Sequence, residues 1–136
     1  MFTSFSKNVV VPLLLRLALA AIFIYHGLDL IGHEGGTNWA PPEKEIPAAA
    51  QLAAAWGQLL GGIALALGFL TRVAAVGIIV IMLGAIATFH GTNQFDVSKG
   101  GFEYNFAIIV MCLCLVLGGP GPIAVDRVFR VKRKES

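Results

Sequence analysis

Charged residues are scarce in this 136-residue chain: Asp, Glu, Lys and Arg make up 13% of it, against 57% hydrophobic residues. A soluble domain of this length carries about 25% charged residues, because its surface must be solvated. The deficit argues against an ordinary soluble domain and indicates an outer surface that faces lipid. The net charge of +2 is too small to indicate a nucleic-acid-binding protein. The sequence also has no basic-aromatic patch and no phosphate-binding glycine loop.

Cysteine is almost absent as well, with only Cys112 and Cys114 in the chain. Two residues along a helix correspond to a rotation of about 200°, so these side chains lie on different faces and cannot bridge each other. The absence of a Cys-x-x-Cys pair argues against disulfide exchange within this chain. We interpret both cysteines as small apolar side chains of a helix.

Long apolar segments are abundant instead, and they cover residues 9–31, 51–70, 72–90 and 102–118. A helix that crosses a bilayer needs about 20 residues, so the third and fourth segments are near the short limit. We therefore expect an all-α integral membrane four-helix bundle, formed as a single domain over residues 1–136 with a basic tail at 119–136. We expect the first segment to be retained rather than cleaved as a signal, because Arg16 interrupts its apolar run.

The positions of the basic residues predict the orientation. Lys7 and Arg16 lie at the start of the first segment, Arg72 lies between the second and third, and five basic residues follow in the tail. Positive residues favour the cytoplasmic side, so both termini are expected there, with the 32–50 and 91–101 loops outside. This pattern predicts a multi-pass protein of the cell membrane, and we suspect a bacterial inner membrane.

Small residues suggest how the helices meet. Gly57 and Gly61 stand four apart in the second segment, and Gly77 and Gly84 lie with other small residues along one stripe of the third. In lipid, such residues allow helix backbones to approach closely. We therefore expect a compact bundle without a water-filled pore inside one chain.

Polar residues recur at one depth, near the predicted outer ends of the four segments. They are Tyr25, His26, Asp29, Gln58, His90, Glu103 and Asn105. His26 and Asp29 are three residues apart and share a helix face. An unpaired carboxylate in lipid costs about 2.5–3.5 kcal/mol, so we expect this pair to face the bundle interior. A histidine–carboxylate pair can hold and pass a proton near neutral pH.

These residues define the predicted site. The candidate catalytic residues are His26, Asp29, His90 and Glu103. Tyr25, Gln58 and Asn105 are candidate ligand-binding residues, and Arg16, Gly57, Gly61 and Arg72 are assigned structural roles. Simpler explanations remain open for some of them: Asp29 can be hydrated at the interface, Glu103 can complement a helix N-terminus, and Arg16 can extend to the headgroups.

The motifs "RLALAAIFIYHGL", "GQLLGGIALALGFLTRVAA" and "GGFEYNFAIIVMCLCLVLGGPGPIAVDR", with a histidine ending the third segment, resemble the DoxX family of small four-helix membrane proteins. The resemblance covers about residues 12–127. It implies a membrane component of an oxidoreductase system, linked to quinone reduction by thiosulfate or to thiol-stress defence with partner proteins. The positions that match the family pattern are Arg16, Gly27, Gly61, Gly62, Thr71, Arg72, His90, Glu103 and Asp126.

Two positions depart from that pattern. Many relatives carry a lysine where this chain has Leu30, and many carry a glutamate where it has Gln58. If the two charges normally pair, their joint loss is electrostatically sensible, because a single one would be left unpaired.

Three functions remain open. The first is a subunit of a quinone-linked oxidoreductase, with a quinone as its suspected cofactor. The sequence has no flavin motif, nucleotide fold or iron–sulfur cysteines, so electrons would come from a redox partner protein or a small reductant. The second is a noncatalytic membrane scaffold or small-molecule transporter. The third is a haem-binding or metal-binding protein that uses His26 and His90. Homo-oligomers are compatible with each, and no nucleic-acid partner is expected.

Overall fold

The computed structural model describes residues 3–90 and 94–135, and these form helices and turns without a β-strand. The four main helices are α1 Val11–Ile31, α2 Ala48–Leu67, α3 Thr71–Ala85 and α4 Glu103–Gly118. π-helical turns extend two of them, Ser6–Val10 before α1 and Ile86–His90 after α3. The predicted all-α class is confirmed. The tail additionally contains a fifth helix, α5 Val125–Glu135.

Within the described residues, three segments are long and apolar enough to cross a membrane, Ser6–Ile31, Ala48–Leu67 and Thr71–His90. The fourth helix has 16 residues, which gives a length of about 24 Å. The hydrocarbon core of a bilayer is about 30 Å thick, so α4 crosses it only with help from flanking residues or a thinner bilayer.

The second helix begins and ends earlier than the predicted segment 51–70. Pro47 precedes its first turn with an extended backbone, and Gly68 follows its last residue with φ +70°. This left-handed conformation favours glycine and ends the helix, while the Gly68 N–H bonds back to the last turn. A Cβ at Gly68 would lie 2.5 Å from that of Ala124, so the turn between α2 and α3 touches the start of α5.

The core runs along the bundle axis, where buried side chains recur every three or four residues. Leu19 and Phe23 of α1 contact a cluster that includes Leu65, Ile78 and Ile108. Helix α1 packs mainly on α2, and α3 on α4, whereas the contact between α1 and α4 is the smallest among neighbouring helices of the bundle. The seam between α1 and α4 is therefore the loosest part of the bundle. In α4, Cys112 is buried and Cys114 is exposed, as their different helix faces predict, and both cysteines are free.

The closest helix contact involves Gly27 of α1 and Gly62 of α2. A Cβ at Gly27 would lie 2.5 Å from the backbone nitrogen of Leu59, and one at Gly62 would lie 2.9 Å from that of Ile24. The two backbones therefore touch directly, as small residues permit in lipid.

The glycines that were predicted to mediate helix contacts do not touch another helix backbone. Gly57 and Gly61 face the side chains of Ile81 and Ile78 on α3, at 3.1 and 3.4 Å from a built Cβ. The predicted small-residue contact along α3 is wrong within this chain. Gly77 and Gly84 have nothing within 4 Å, because α3 turns this stripe outward.

The two ends of the bundle differ in chemistry. We call the end that holds Lys7, Arg72 and α5 the basic end, and the opposite end, with the 32–47 and 94–102 connections, the loop end. Both described chain ends lie at the basic end, since Lys7 and Lys134 line one cavity there. Their cytoplasmic location remains a prediction from charge.

Arg16 connects α1 to the end of α2 and to the 120–123 segment at the basic end. Its side chain is 2% exposed, and its guanidinium donates to the carbonyl oxygens of Leu65 (2.9 Å), Ala66 (3.0 Å) and Pro120 (3.0 Å), and to that of Ile123. The first two belong to the last turn of α2, whose carbonyls have no partner within the helix. A cation is also favoured by the negative end of the helix dipole. Arg16 therefore points inward and does not extend to the headgroups.

Asp126 makes the complementary connection at the start of α3. Its carboxylate accepts the backbone N–H groups of Leu70 and Thr71, at 2.6 and 2.9 Å. These are unpaired donors of a helix N-terminus, where a negative charge is also favoured. Arg72 follows directly, is exposed, and places its guanidinium beside Gly119.

Candidate functional site

The loop end is held in place by Gln51, which is 7% exposed. Its side-chain oxygen accepts the backbone N–H groups of Trp39 and Ala40, and its amide nitrogen donates to the Ile46 carbonyl, each at 2.9 Å. The Trp39 indole donates to the Gln51 carbonyl in turn. These bonds fold the 37–47 connection onto α2 and fix the backbone above the polar residues.

The polar residues converge on a cavity of about 310 Å³ at this end. Each of the four helical segments contributes at least one polar side chain to it, including His26 from α1, Gln58 from α2, His90 from the turn after α3, and Asn105 from α4. Its apolar walls include Ile22, Phe23 and Met82. The volume is at the lower end of the range for small-molecule sites, about 300–1,000 Å³. The cavity lies along the loose seam between α1 and α4.

Gln58 is the most informative residue of the cavity. It is 8% exposed, and within the described residues its side-chain amide takes part in no hydrogen bond. The amide nitrogen and oxygen are not fully enclosed, because the Thr71 hydroxyl is the one fully buried side-chain polar atom without a partner among the described residues. Its donor and acceptor remain available to a molecule in the cavity.

Asn105 is also buried, at 5% exposure. Its amide nitrogen donates to the Met82 sulfur at 3.4 Å. A thioether is a weak acceptor, so this contact orients the amide without using its full capacity. Asn105 and Gln58 thus bring two amides to one apolar cavity.

His90 has one ring nitrogen engaged. Its Nδ1 lies 2.7 Å from the carbonyl oxygen of Gly100, and a carbonyl only accepts, so Nδ1 carries the proton. In the neutral ring, Nε2 is then the acceptor, and in the charged ring it is a second donor. The bond to Gly100 therefore fixes the tautomer and leaves Nε2 for exchange of a proton.

The 94–102 segment forms the wall beside His90. Asp96 accepts hydrogen bonds from the hydroxyl and the backbone N–H of Ser98, at 2.7 and 2.9 Å. These bonds lower the pKa of the Asp96 carboxyl, with the hydroxyl contributing most. A Cβ at Gly101 would lie 2.6 Å from the Gln94 carbonyl oxygen, so the turn closes tightly only with glycine.

Three predicted residues lie outside the cavity lining. Tyr25 is 71% exposed and meets the His26 ring edge-on, with centroids 5.4 Å apart. Asp29 and His26 are both exposed, and the described structure contains no ion pair or hydrogen bond between them, so the prediction of an inward-facing pair is wrong. Glu103 begins α4 and accepts the Val97 N–H at 3.0 Å. Because Val97 lines the cavity, Glu103 positions the wall rather than the interior.

Sequence reasoning missed Tyr104, which lines the cavity beside Asn105. The available signal was its depth, since Tyr104 lies between the predicted residues Glu103 and Asn105 in the sequence. Gln51 was missed because its role depends on a loop that folds back over it. In the described ranges, no group of three or more His, Cys, Asp or Glu side chains is arranged to hold a metal ion.

Comparisons with known proteins agree with this architecture. The DoxX family profile matches residues 11–91, which include three of the four polar cavity residues named above. The chain is 29% identical over 122 residues to "Putative oxidoreductase CatD" of Bacillus subtilis (strain 168), covering 89% of each protein. No solved structure matches. The helical bundle, the apolar spans and the family match together show that this chain is a membrane protein that belongs to the DoxX family.

Proposed function

We propose that this chain is the membrane subunit of a quinone-linked oxidoreductase system, and that the loop-end cavity binds the quinone ring. The observation that carries the proposal is the Gln58 side chain, which is 8% exposed and forms no hydrogen bond within the described residues, in a cavity that receives polar side chains from all four helical segments. The position of the cavity on the α1–α4 seam supports entry of a lipid-soluble molecule from the bilayer.

The residues present fit such a ligand. The apolar walls suit a ring that partitions into lipid, and the amides of Gln58 and Asn105 can donate to its carbonyl oxygens. A quinone supplies an acceptor of two electrons and two protons. His26 and His90 bring two imidazole rings to the cavity, and the bond to the Gly100 carbonyl orients His90 so that its Nε2 can accept a hydrogen bond or a proton. The name of the Bacillus relative is compatible with redox chemistry.

Electrons would enter from a partner protein or from a small reductant, in keeping with the absence of flavin and iron–sulfur motifs in the sequence. The chain's own contribution would then be to bind the ring, exclude water and deliver protons. A scaffold or transporter would not need the Gln58 amide. Substitution of Gln58 therefore separates the quinone-linked function from these two alternatives.

The experiment combines extraction and titration. Protein purified in mild detergent is extracted with organic solvent and analysed by mass spectrometry, and binding of decylubiquinone is then followed by tryptophan quenching. Trp39 is a suitable reporter, since its ring lies 6.1 Å from that of Phe89, the neighbour of His90. We expect bound quinone in the extract and about fivefold weaker binding for Gln58→Leu, the loss of one hydrogen bond.

His33→Gln is the matched control for His90→Gln, because His33 is exposed and outside the cavity. The control should bind as the wild type does, while His90→Gln should weaken binding and shift its pH dependence. Absence of quinone from the extract together with no saturable quenching would refute the proposal. A more stable Gln58→Leu variant without any ligand loss would favour the scaffold.

A further inference from the structure

A second and larger cavity lies at the basic end, outside the proposed quinone site. Its volume is about 690 Å³, and it is enclosed by the start of α1, the end of α4, the 119–122 turn and α5. Five cationic side chains from three parts of the chain line it: Lys7, Arg72, and the α5 residues Arg127, Arg130 and Lys134. Asp126 is the only carboxylate among its lining residues.

The positive charge of this cavity is not balanced within the described structure. In residues 3–90 and 94–135, none of the five cationic side chains forms a hydrogen bond or an ion pair. Asp126 carries the one negative charge among the described lining residues, so it offsets at most one of the five positive charges. Like charges in a shared cavity repel, so an anion there would relieve the repulsion.

The fifth helix gives the cavity its position in the membrane. Arg127, Arg130 and Lys134 share the face of α5 that lines the cavity, at spacings of three and four residues. Val128 and Phe129 are exposed on another face, and the Phe129 ring lies 6.3 Å from that of Phe69 on the bundle. A helix with one basic face and one apolar face lies in the plane of the membrane interface. The cavity is therefore at the depth of lipid headgroups.

The walls of the cavity distinguish a lipid from a free anion. Val11 and Leu15 of α1 and Leu115 of α4 line it together with the cations. They lie on the α1–α4 seam, the smallest contact between neighbouring helices of the bundle. A soluble phosphate would leave these apolar walls uncovered, whereas acyl chains would cover them.

We propose that the basic-end cavity binds the phosphate of an anionic glycerophospholipid, with its acyl chains along the seam between α1 and α4. Arg72 holds the phosphate from the bundle side, and Arg130 and Lys134 hold it from α5. Basic pockets between membrane helices suit anionic headgroups, and each nearby cation adds to the attraction. The site is separate from the quinone cavity, and its test does not depend on quinone binding.

The experiment measures lipid binding to the full chain by native mass spectrometry in mild detergent. The probes are dioleoyl phosphatidylglycerol, dioleoyl phosphatidylcholine and glycerol 3-phosphate. We expect phosphatidylglycerol adducts in preference to phosphatidylcholine, with glycerol 3-phosphate unable to displace them. Lys134→Gln and Arg72→Gln should each lower the affinity about fivefold, the effect of one cation near the surface.

Lys132→Gln is the matched control, because it removes the same charge from the same helix but does not line the cavity. It should leave phosphatidylglycerol binding nearly unchanged. Equal losses for Lys132→Gln and Lys134→Gln would overturn the proposal in favour of diffuse attraction to the tail. Equal binding of both lipids would also overturn it, as would displacement by glycerol 3-phosphate at comparable concentration.

Discussion

The clearest structural prediction concerns Arg16→Met, which keeps the length of the side chain but removes its charge and its donors. Four backbone carbonyls lose the hydrogen bond from Arg16, two of them in the last turn of α2, where the Leu65 carbonyl keeps its bond from the Gly68 N–H. Side-chain hydrogen bonds in membrane proteins average about 0.6 kcal/mol, which sets a lower limit of about 2.5 kcal/mol for four. A buried acceptor left without its hydrogen-bond partner costs about 1–3 kcal/mol in soluble proteins. We therefore expect a loss of about 2.5–5 kcal/mol.

The assay is reversible unfolding by sodium dodecyl sulfate in mixed micelles, followed by tryptophan fluorescence. Arg130→Met is the matched control, because the Arg130 side chain is exposed and forms no hydrogen bond within the described residues. Surface changes of this kind stay within about 0.5 kcal/mol. Arg16→Lys should fall between the two, since an ammonium cannot reproduce the guanidinium fork. Equal unfolding free energies for Arg16→Met and Arg130→Met would refute the reasoning.

Three further predictions concern packing, capping and pH. Gly27→Ala should cost about 1–3 kcal/mol by pushing α1 from α2, whereas Gly77→Ala, with open space around it, should stabilise by up to about 1 kcal/mol in the same unfolding assay. Asp126→Ala should cost about 0.5–2 kcal/mol, because the first turn of α3 loses its cap. Ser98→Ala should raise the pKa of Asp96 in a carboxyl NMR titration, because the Ser98 hydroxyl donates the hydrogen bond that contributes most to the lowered pKa. The lowered pKa predicts stability that is present above pH 3.8 and lost as pH falls through the folded pKa; an unshifted titration would contradict this.

The sequence predicted the convergence of polar residues better than it predicted their individual roles. Comparing depth along the helices identified His26, Gln58, His90 and Asn105, because depth follows from counting residues along each apolar segment. Asp29 shares a helix face with His26 by spacing, yet it lies outside the cavity lining. The rotation of α1 about its axis decides that difference, and the rotation depends on contacts with its neighbours.

By itself, the sequence determined the helical class, the number of apolar segments, the charge asymmetry between the ends and the family. Each of these properties can be read from the residues of one segment at a time. The thickness of the bilayer sets the length of an apolar segment, and the positions of the basic residues set its orientation. Only the tertiary structure decided that Gly27 and Gly62 make the close contact, that Arg16 points inward, and that the cations of the tail share a cavity with Arg72. The physical reason is that lipid is as apolar as the bundle core, so a helix that is hydrophobic all round does not reveal which face is buried.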